Sequence, residues 1–282
     1  MKVALLMGTQ YLDPAAYGGW DGGAACAAAD RDIDMRKRWA QDRGFDRIEV
    51  LINEQFTPAN ALTAGKDLLA MLPTLDDLLY VAFSTHGGQE PDRYPFDEID
   101  HLDETICTFS GPLLDDRVAE LWPLVRCRVH WDSDTCNAGT PYRGRPPRAP
   151  WHTVGPYRLR SPARAGDRLT GQVIAYGGAS DGKSSMGGPL GGAWTLAEDA
   201  VWQAYYSRGR PGKRGWGLFK WLVNWGSGGG IATPDEIAIP DRLTYRTWFL
   251  TAKAKMNLRE QEPIYSEFGA VSDEFRDRLA LT

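Results

Sequence analysis

Short, solidly apolar segments alternate along this chain with segments whose apolar residues recur at helical spacing. The apolar segments suit buried strands. They occur at Lys2–Met7, Arg47–Ile52, Leu78–Phe83, Arg128–Trp131, Gln172–Tyr176 and Pro263–Phe268. The helical patterns occur at Ala24–Arg43, which Gly44 would cap, and at Pro58–Leu72, Asp115–Trp122 and Leu196–Tyr206. This order predicts an α/β fold, in which helices cover both faces of a mostly parallel sheet.

Composition and charge narrow the class of protein. The chain has 282 residues and a net charge of −5, so we expect one large α/β domain and no nucleic-acid partner. No apolar run approaches the roughly 18 residues that a membrane span needs, so no membrane partner is expected. The four cysteines lack CxxC spacing, which disfavours a zinc site or a disulfide framework and predicts a reduced, cytoplasmic location.

One segment departs from the rest in composition. Residues 141–168 contain seven arginines, six prolines and a single acidic residue. Such a segment is predicted to form neither helix nor strand, and to be an exposed linker. It divides the single domain expected over 1–282 into a larger part, 1–140, and a smaller part, 169–282. The glycine-rich stretch 187–192 lacks the order of a phosphate-binding loop and is predicted to bend the chain into the next helix.

Two polar motifs follow predicted strands. Ser84–Gly88 contains a histidine, and Asp134–Gly139 contains a cysteine. Functional groups of open α/β sheets collect at the carboxyl ends of the strands, so these motifs can share one crevice. A thiol needs a base to act as a nucleophile, and imidazole is the usual partner. The alternatives are a structural cysteine, as predicted for Cys127, and hydrogen-bonded surface histidines, as predicted for His101, His130 and His152.

The ordered motifs resemble those of the caspase-like cysteine peptidases, and in particular the metacaspases and bacterial caspase homologues. Phe83–Gln89 and Asp134–Gly139 resemble the segments that carry the family's catalytic histidine and cysteine. Further similar segments lie at Gly19–Asp30, Leu102–Ile106, Leu113–Val118, Val173–Tyr176 and Gln261–Tyr265. The resemblance implies a caspase–haemoglobinase fold, with a six-stranded, mainly parallel sheet, and acyl transfer through a thioester.

The resemblance assigns a role to each candidate catalytic residue. Cys136 would be the nucleophile and His86 the general base. The N–H groups of Gly87 and Cys136 would form the oxyanion hole. A cysteine endopeptidase is therefore expected, with an activating partner protein as an additional expectation.

Three further residues would bind the side chain before the cleaved bond. These residues are Asp134, Asp30 and Ser84. Two acids at this subsite imply a protein or peptide substrate with a basic residue before the cleaved bond. Arg should be preferred over Lys, because the planar guanidinium can bond a carboxylate through two N–H groups. The alternatives are a turn residue at Asp134 and a helix-surface residue at Asp30.

The resemblance implies no required cofactor and leaves calcium open. Asp103, Asp115 and Asp116 match positions that bind calcium in some metacaspases, and calcium prefers six or more oxygen ligands. Arg143 replaces a fourth acid, for which Asp97, Glu98 and Asp100 could compensate. A solvated acidic face is the alternative.

Two other functions stay open from the sequence. The chain could be a catalytically silent scaffold that only binds partners, or a peptidase of the same fold that prefers an acidic residue before the cleaved bond. A third hypothesis concerns regulation: the enzyme cuts its own linker after Arg143, Arg148 or Arg164, or holds this linker in the cleft as a competing ligand. A solvated linker without a regulatory part is the alternative.

Overall fold

A central six-stranded sheet organises the molecule. The computed structural model describes residues 1–23, 26–91, 102–135, 152–154, 157–159, 169–179, 185, 187–206, 240–256 and 261–282. The sheet strands are β1 Lys2–Gly8, β2 Arg47–Ile52, β3 Leu78–Ser84, β7 Arg128–Asp134, β10 Gln172–Gly177 and β13 Ile264–Gly269. Their order is β13-β10-β7-β3-β1-β2, and all pairs are parallel except β10 with β13. The predicted fold class is confirmed, and each predicted strand lies within two or three residues of an observed one.

Helices cover both faces of this sheet. They are α1 Ala29–Asp42, α2 Pro58–Ala70, α3 Asp115–Ala119, α4 Ala193–Tyr206, α5 Tyr245–Lys255 and α6 Asp273–Asp277, with 3-10 turns at Asn53–Gln55 and Trp122–Leu124. One face packs against α1, α4 and α5, and its core contains Trp39, Trp202 and Trp248. The other face packs against α2 and Trp122. Alternate residues of each strand enter the two cores, as the period of two in a strand requires.

Local signals place the ends of two helices correctly. α1 ends just before Gly44, whose φ of 64° is the left-handed conformation that glycine adopts freely at a helix end, as predicted. α2 begins after Thr57, whose side chain accepts a hydrogen bond from the N–H of Asn60, and Pro58 occupies the first helical position.

Several elements differ from the sequence predictions. A three-stranded antiparallel sheet, β4 Gly87–Pro91, β5 Leu102–Thr108 and β6 Gly111–Leu114, was not predicted because its strands are short and mixed in polarity. The expectation of no strand in 141–168 is wrong for β8 His152–Val154 and β9 Tyr157–Leu159, which pair as antiparallel strands. The two strands pair through backbone hydrogen bonds, which form regardless of the side chains that the strands carry.

The glycine-rich stretch does lead into α4, but it does so as a hairpin of β11 Gly187–Gly188 and β12 Gly191–Gly192. No helix in the described part of the chain is long and apolar enough to cross a membrane.

Candidate active site

The described parts of the two predicted motifs meet at one edge of the sheet. β3 and β7 are adjacent parallel strands, and their register pairs Ser84 with Asp134 at their carboxyl ends. A pocket opens at this edge. It is lined by Cys26, Ala28, Ala29, Asp32, Ser84, Thr85, His86, Asp134, Ser185, Gly187, Gly188, Gly191 and Gly192. Cys136 lies outside the described residues, two positions beyond Asp134 in the sequence.

His86 is held by the loop that precedes α1. Its Nε2 lies 2.6 Å from the carbonyl oxygen of Gly22, and the ring of Trp20 packs against it at 4.8 Å between centroids. A carbonyl only accepts hydrogen bonds, so this contact places the hydrogen of the neutral imidazole on Nε2 and leaves the lone pair on Nδ1. Burial lowers the pKa of His86, and the bond to Gly22 opposes this shift. Nδ1 is therefore the atom that can accept a proton.

Asp134 is a buried carboxylate at the end of β7. Its Oδ2 accepts hydrogen bonds from the N–H of Thr195, at 2.9 Å, and from the hydroxyl of the same residue, at 2.8 Å. Its Oδ1 accepts a bond of 2.5 Å from the hydroxyl of Ser185. Asp134 therefore has a fixed orientation and forms one wall of the pocket.

Asp32 supplies the second carboxylate. The hydroxyl of Ser84 donates to its Oδ2 at 2.6 Å, and the N–H of Gly192 lies 3.0 Å from each carboxylate oxygen. Burial raises the pKa of Asp32 to about 7, and the neighbouring charge of Asp134 adds to this shift, whereas Arg36 opposes it. Two carboxylates in one buried pocket favour a bound proton or a bound cation.

The sequence prediction chose Asp30 for this position, and the structure places Asp32 there instead. Both residues lie on α1, but Asp30 is half-buried and does not line the pocket, whereas only 1% of Asp32 is exposed. The inward face of α1 recurs at Ala29, Asp32 and Arg36, which is helical spacing. This periodicity could have identified Asp32, whereas counting from Cys26 in the motif could not.

A fully buried ionic layer lies beneath the pocket. Arg36 bonds both oxygens of Asp132, at 3.1 and 3.2 Å, and lies 3.6 Å from Glu198. Tyr80 and Trp194 also donate to Asp132. Burial, followed by the charge of Asp132, raises the pKa of Glu198 well above its ordinary range. Glu198 is therefore stabilised in its protonated form.

Cys127 and His130 both lie in the interior of the molecule. Cys127 is a core residue, as predicted, and burial raises the pKa of its thiol to about 12. His130 was predicted to lie at the surface, and this is wrong, since it is fully buried among aromatic rings that include Tyr80 and Tyr176. Burial lowers the pKa of His130 to about 4, so it stays neutral. The side chains of His101 and His152 lie outside the described residues.

The acids considered for calcium lie on the second sheet and α3. Asp103 is buried on β5, and Asp115 and Asp116 begin α3, where Asp115 accepts a bond from the N–H of Asp116. Within the residues that the structure describes, no three His, Cys, Asp or Glu side chains form a group that could hold a metal ion. Asp97, Glu98, Asp100 and Arg143 lie outside those residues.

Comparison with solved structures identifies the fold. The chain is similar over 100% of its length to protein GSU0716 from Geobacter sulfurreducens, with a TM-score of 0.69, 23% identity and 98% of that chain covered. It is also similar to caspase-1 from Spodoptera frugiperda, with a TM-score of 0.51 and 12% identity over 95% of this chain and 86% of that one. No family model matches the chain, and no curated protein matches it. The chain therefore has a caspase-like fold.

Proposed function

We propose that the protein is a metacaspase-like cysteine endopeptidase that cleaves peptide bonds after basic residues and prefers Arg over Lys. The observation that supports this most strongly is a pair of buried carboxylates, Asp32 and Asp134, that line the same pocket as His86. The described residues that line the pocket include no Lys or Arg. The nearest buried guanidinium, that of Arg36, is already bonded to Asp132.

The charge of the pocket supports a cationic substrate. Burying two carboxylates costs free energy unless a cation or hydrogen bonds compensate for the lost water. Ser84, Gly192 and Thr195 provide hydrogen bonds but no positive charge. A substrate guanidinium would supply the charge together with N–H groups suited to carboxylate oxygens. An acidic side chain would be repelled, which disfavours the peptidase that prefers an acidic residue.

The proposed chemistry is acyl transfer. His86 Nδ1 takes the proton of the Cys136 thiol, and the thiolate attacks the carbonyl carbon of the substrate. The resulting oxyanion is stabilised by the N–H groups of Gly87 and Cys136. His86 then gives its proton to the departing amine, which leaves a thioester on Cys136. Water, deprotonated by His86, attacks this thioester and the C–S bond breaks. The acid product leaves, and His86 returns the proton to the sulfur of Cys136.

Further parts of the proposal rest on the sequence. We expect a cytoplasmic enzyme, made as a zymogen, that requires no cofactor. Calcium binding through Asp103, Asp115 and Asp116 and an activating partner protein stay predictions.

Cleavage of fluorogenic peptides with Arg, Lys or Asp before the reporter tests this function. We expect the Arg peptide to be cleaved fastest of the three. Cleavage should become undetectable in Cys136→Ala and in His86→Ala, because each variant removes one half of the dyad. Asp134→Ala or Asp32→Ala should lower kcat/KM for the Arg peptide. The corresponding loss of transition-state binding free energy should be about 2–5 kcal/mol, which is the usual cost of removing one partner of a buried charge pair.

Asp30→Ala is the matched control, since it removes an acid from the same helix without changing the pocket lining. Its kcat/KM should stay within about twofold of wild type. A preference for the Asp peptide, or full activity in Cys136→Ala, would contradict the proposal. A folded protein that cleaves none of the peptides, and that an arginyl chloromethylketone does not label at Cys136, would favour the silent scaffold.

A further inference from the structure

We propose that Gly192 is a positioning residue for the carboxylate pair, and that the selectivity for a basic side chain depends on its lack of a side chain. This inference rests on the proposed function. It concerns the hairpin β11–β12, whose second strand passes directly against the pocket.

The backbone of this hairpin orients Asp32. The N–H of Gly192 lies 3.0 Å from both oxygens of the Asp32 carboxylate, so it holds the group from one side while Ser84 holds it from the other. α1 anchors the hairpin in return, because Arg31 donates a bond of 2.7 Å to the carbonyl of Pro189 at the turn. The distance between β12 and α1 is therefore determined by contacts at two points.

The same glycine leaves the space that Asp134 occupies. A Cβ atom at position 192 would lie 2.0 Å from Asp134 Oδ2 and 2.6 Å from its Cγ. Thr195 bonds Oδ2 twice, so the carboxylate cannot move away without losing hydrogen bonds in a buried site. Any side chain at this position must therefore displace Asp134, shift β12 away from Asp32, or do both.

Gly191 shows the same close approach to the other acid. A Cβ atom there would lie 2.3 Å from Asp32 Oδ1, and the φ of Gly191 is 142°, a conformation that other residues rarely adopt. Gly191→Ala would thus combine backbone strain with a clash. Gly192 is the better site for a test, because its φ is not in this region and only the clash would be introduced.

The hairpin itself offers a control outside the pocket. Pro189 is exposed at the turn between β11 and β12 and does not line the pocket. Pro189→Ala keeps the carbonyl that accepts the bond from Arg31, so it changes a side chain of the same hairpin without touching either carboxylate.

The first measurement compares wild type, Gly192→Ala and Pro189→Ala with peptides that carry Arg or its neutral isostere citrulline before the cleaved bond. For Gly192→Ala we expect KM for the Arg peptide to rise at least about tenfold, since misplacing a binding group by about 1 Å can cost 10²-fold. The preference for Arg over citrulline should fall, whereas kcat for the citrulline peptide should change little, because His86 is untouched. Pro189→Ala should behave as wild type.

A double-mutant cycle with Asp134→Ala keeps the inference testable if Gly192→Ala alone fails to fold. Removing the carboxylate removes the atoms that the new Cβ would meet. Gly192→Ala should therefore change neither the melting temperature nor the KM for the Arg peptide when it is added to Asp134→Ala. Benzamidine binding, measured by calorimetry in the Cys136→Ala background, provides a readout that does not need turnover.

The outcomes separate this inference from the proposed function. Wild type that shows no preference for Arg over citrulline and does not bind benzamidine overturns the proposed function, and the selectivity role of Gly192 with it. Wild type that prefers Arg, with a folded Gly192→Ala variant of unchanged KM and preference, overturns this inference alone. An equal loss of stability from Gly192→Ala with and without Asp134 would also overturn it.

Discussion

Burial acts in opposite directions on two titratable residues of the site. It lowers the pKa of His86, because an apolar environment disfavours the imidazolium cation, and it raises the pKa of Asp32, because the same environment disfavours the carboxylate anion. Near neutral pH the imidazole is therefore available as a base, and the raised pKa of Asp32 favours the protonated form of that carboxyl group.

The titration of Asp32 predicts a pH dependence of cation binding. Above pH 7 Asp32 is ionised and attracts a cation, whereas below its pKa of about 7 it is protonated and the attraction weakens. Benzamidine affinity should therefore fall by up to about tenfold for each pH unit below 7. Calorimetry in the Cys136→Ala background measures this effect.

Two variants make that experiment specific. Asp32→Asn should bind weakly, with little change between pH 6 and 8. His86→Ala should keep the dependence, since it removes the imidazole that lines the pocket and leaves Asp32 in place. If Asp32→Asn retained the full pH dependence, its source would lie elsewhere.

Trp20 offers a test of the environment of His86. Its indole is 45% exposed and covers one side of the imidazole ring. Trp20→Ala should admit water and raise the pKa of His86 toward its ordinary value, because burial is the larger of the two causes of the shift. NMR titration of the imidazole protons measures this pKa directly.

Tyr11→Ala is a suitable control. Tyr11 is similarly exposed but contacts Phe109 and Glu54 rather than His86. A lower pKa of His86 in Trp20→Ala would show that the indole stabilises the cation through its π face more than it excludes water.

At the scale of elements, two helices and one strand together form the pocket and the ionic layer below it. α1 and β7 each contribute one carboxylate to the pocket and one residue to the ionic layer below it: Asp32 and Arg36 from α1, and Asp134 and Asp132 from β7. From α4, Thr195 bonds the carboxylate of Asp134, and Glu198 lies in the layer. The spacings are four, two and three residues, which place each pair on one face of its helix or strand. The buried layer thus connects the docking of α1 and α4 to the position of the carboxylates.

This layer predicts unequal effects of two conservative substitutions. Asp132→Asn removes the charge that Arg36 bonds through two N–H groups, and it should lower the free energy of unfolding by about 3–5 kcal/mol. Glu198→Gln replaces an acid that favours its protonated form with a neutral group of the same shape, so it should change stability by less than about 1 kcal/mol. Urea unfolding at pH 7 compares them. Equal losses would mean that Glu198 is ionised and acts as a second partner of Arg36.

For the whole molecule, the linker 141–168 predicts self-cleavage. It is rich in arginine, and the same chain carries the pocket that we propose to bind a basic side chain. Arg143, Arg148 and Arg164 are the expected sites, whereas Pro146 should hinder cleavage after Arg145. Intact mass spectrometry of purified protein, with and without calcium, should show fragments in wild type and none in Cys136→Ala. If neither protein fragments, and replacing the linker arginines by Gln leaves activity unchanged, the linker has no regulatory part.

The sequence predicted the elements of the sheet better than those around it. The strands of the central sheet are buried on both faces, so they appear as continuous apolar runs such as Leu78–Ser84. The strand Gly87–Pro91 contains two glycines, two polar residues and a proline, and its side chains are half-buried or exposed. Such a strand is defined by its hydrogen-bonded neighbour, Leu102–Thr108, and has no apolar pattern of its own.

The sequence by itself determined the α/β class and placed His86 and Asp134 at strand ends, because the ends of parallel strands meet at one edge of the sheet. Only the tertiary structure decided which other residues complete the pocket. Gly192 lies 160 residues from Asp32 along the chain, and Thr195 lies 61 residues from Asp134. These contacts depend on how α1 and the hairpin β11–β12 pack over the sheet. Such packing depends on how well whole surfaces fit together, and a local pattern of residues does not determine that fit.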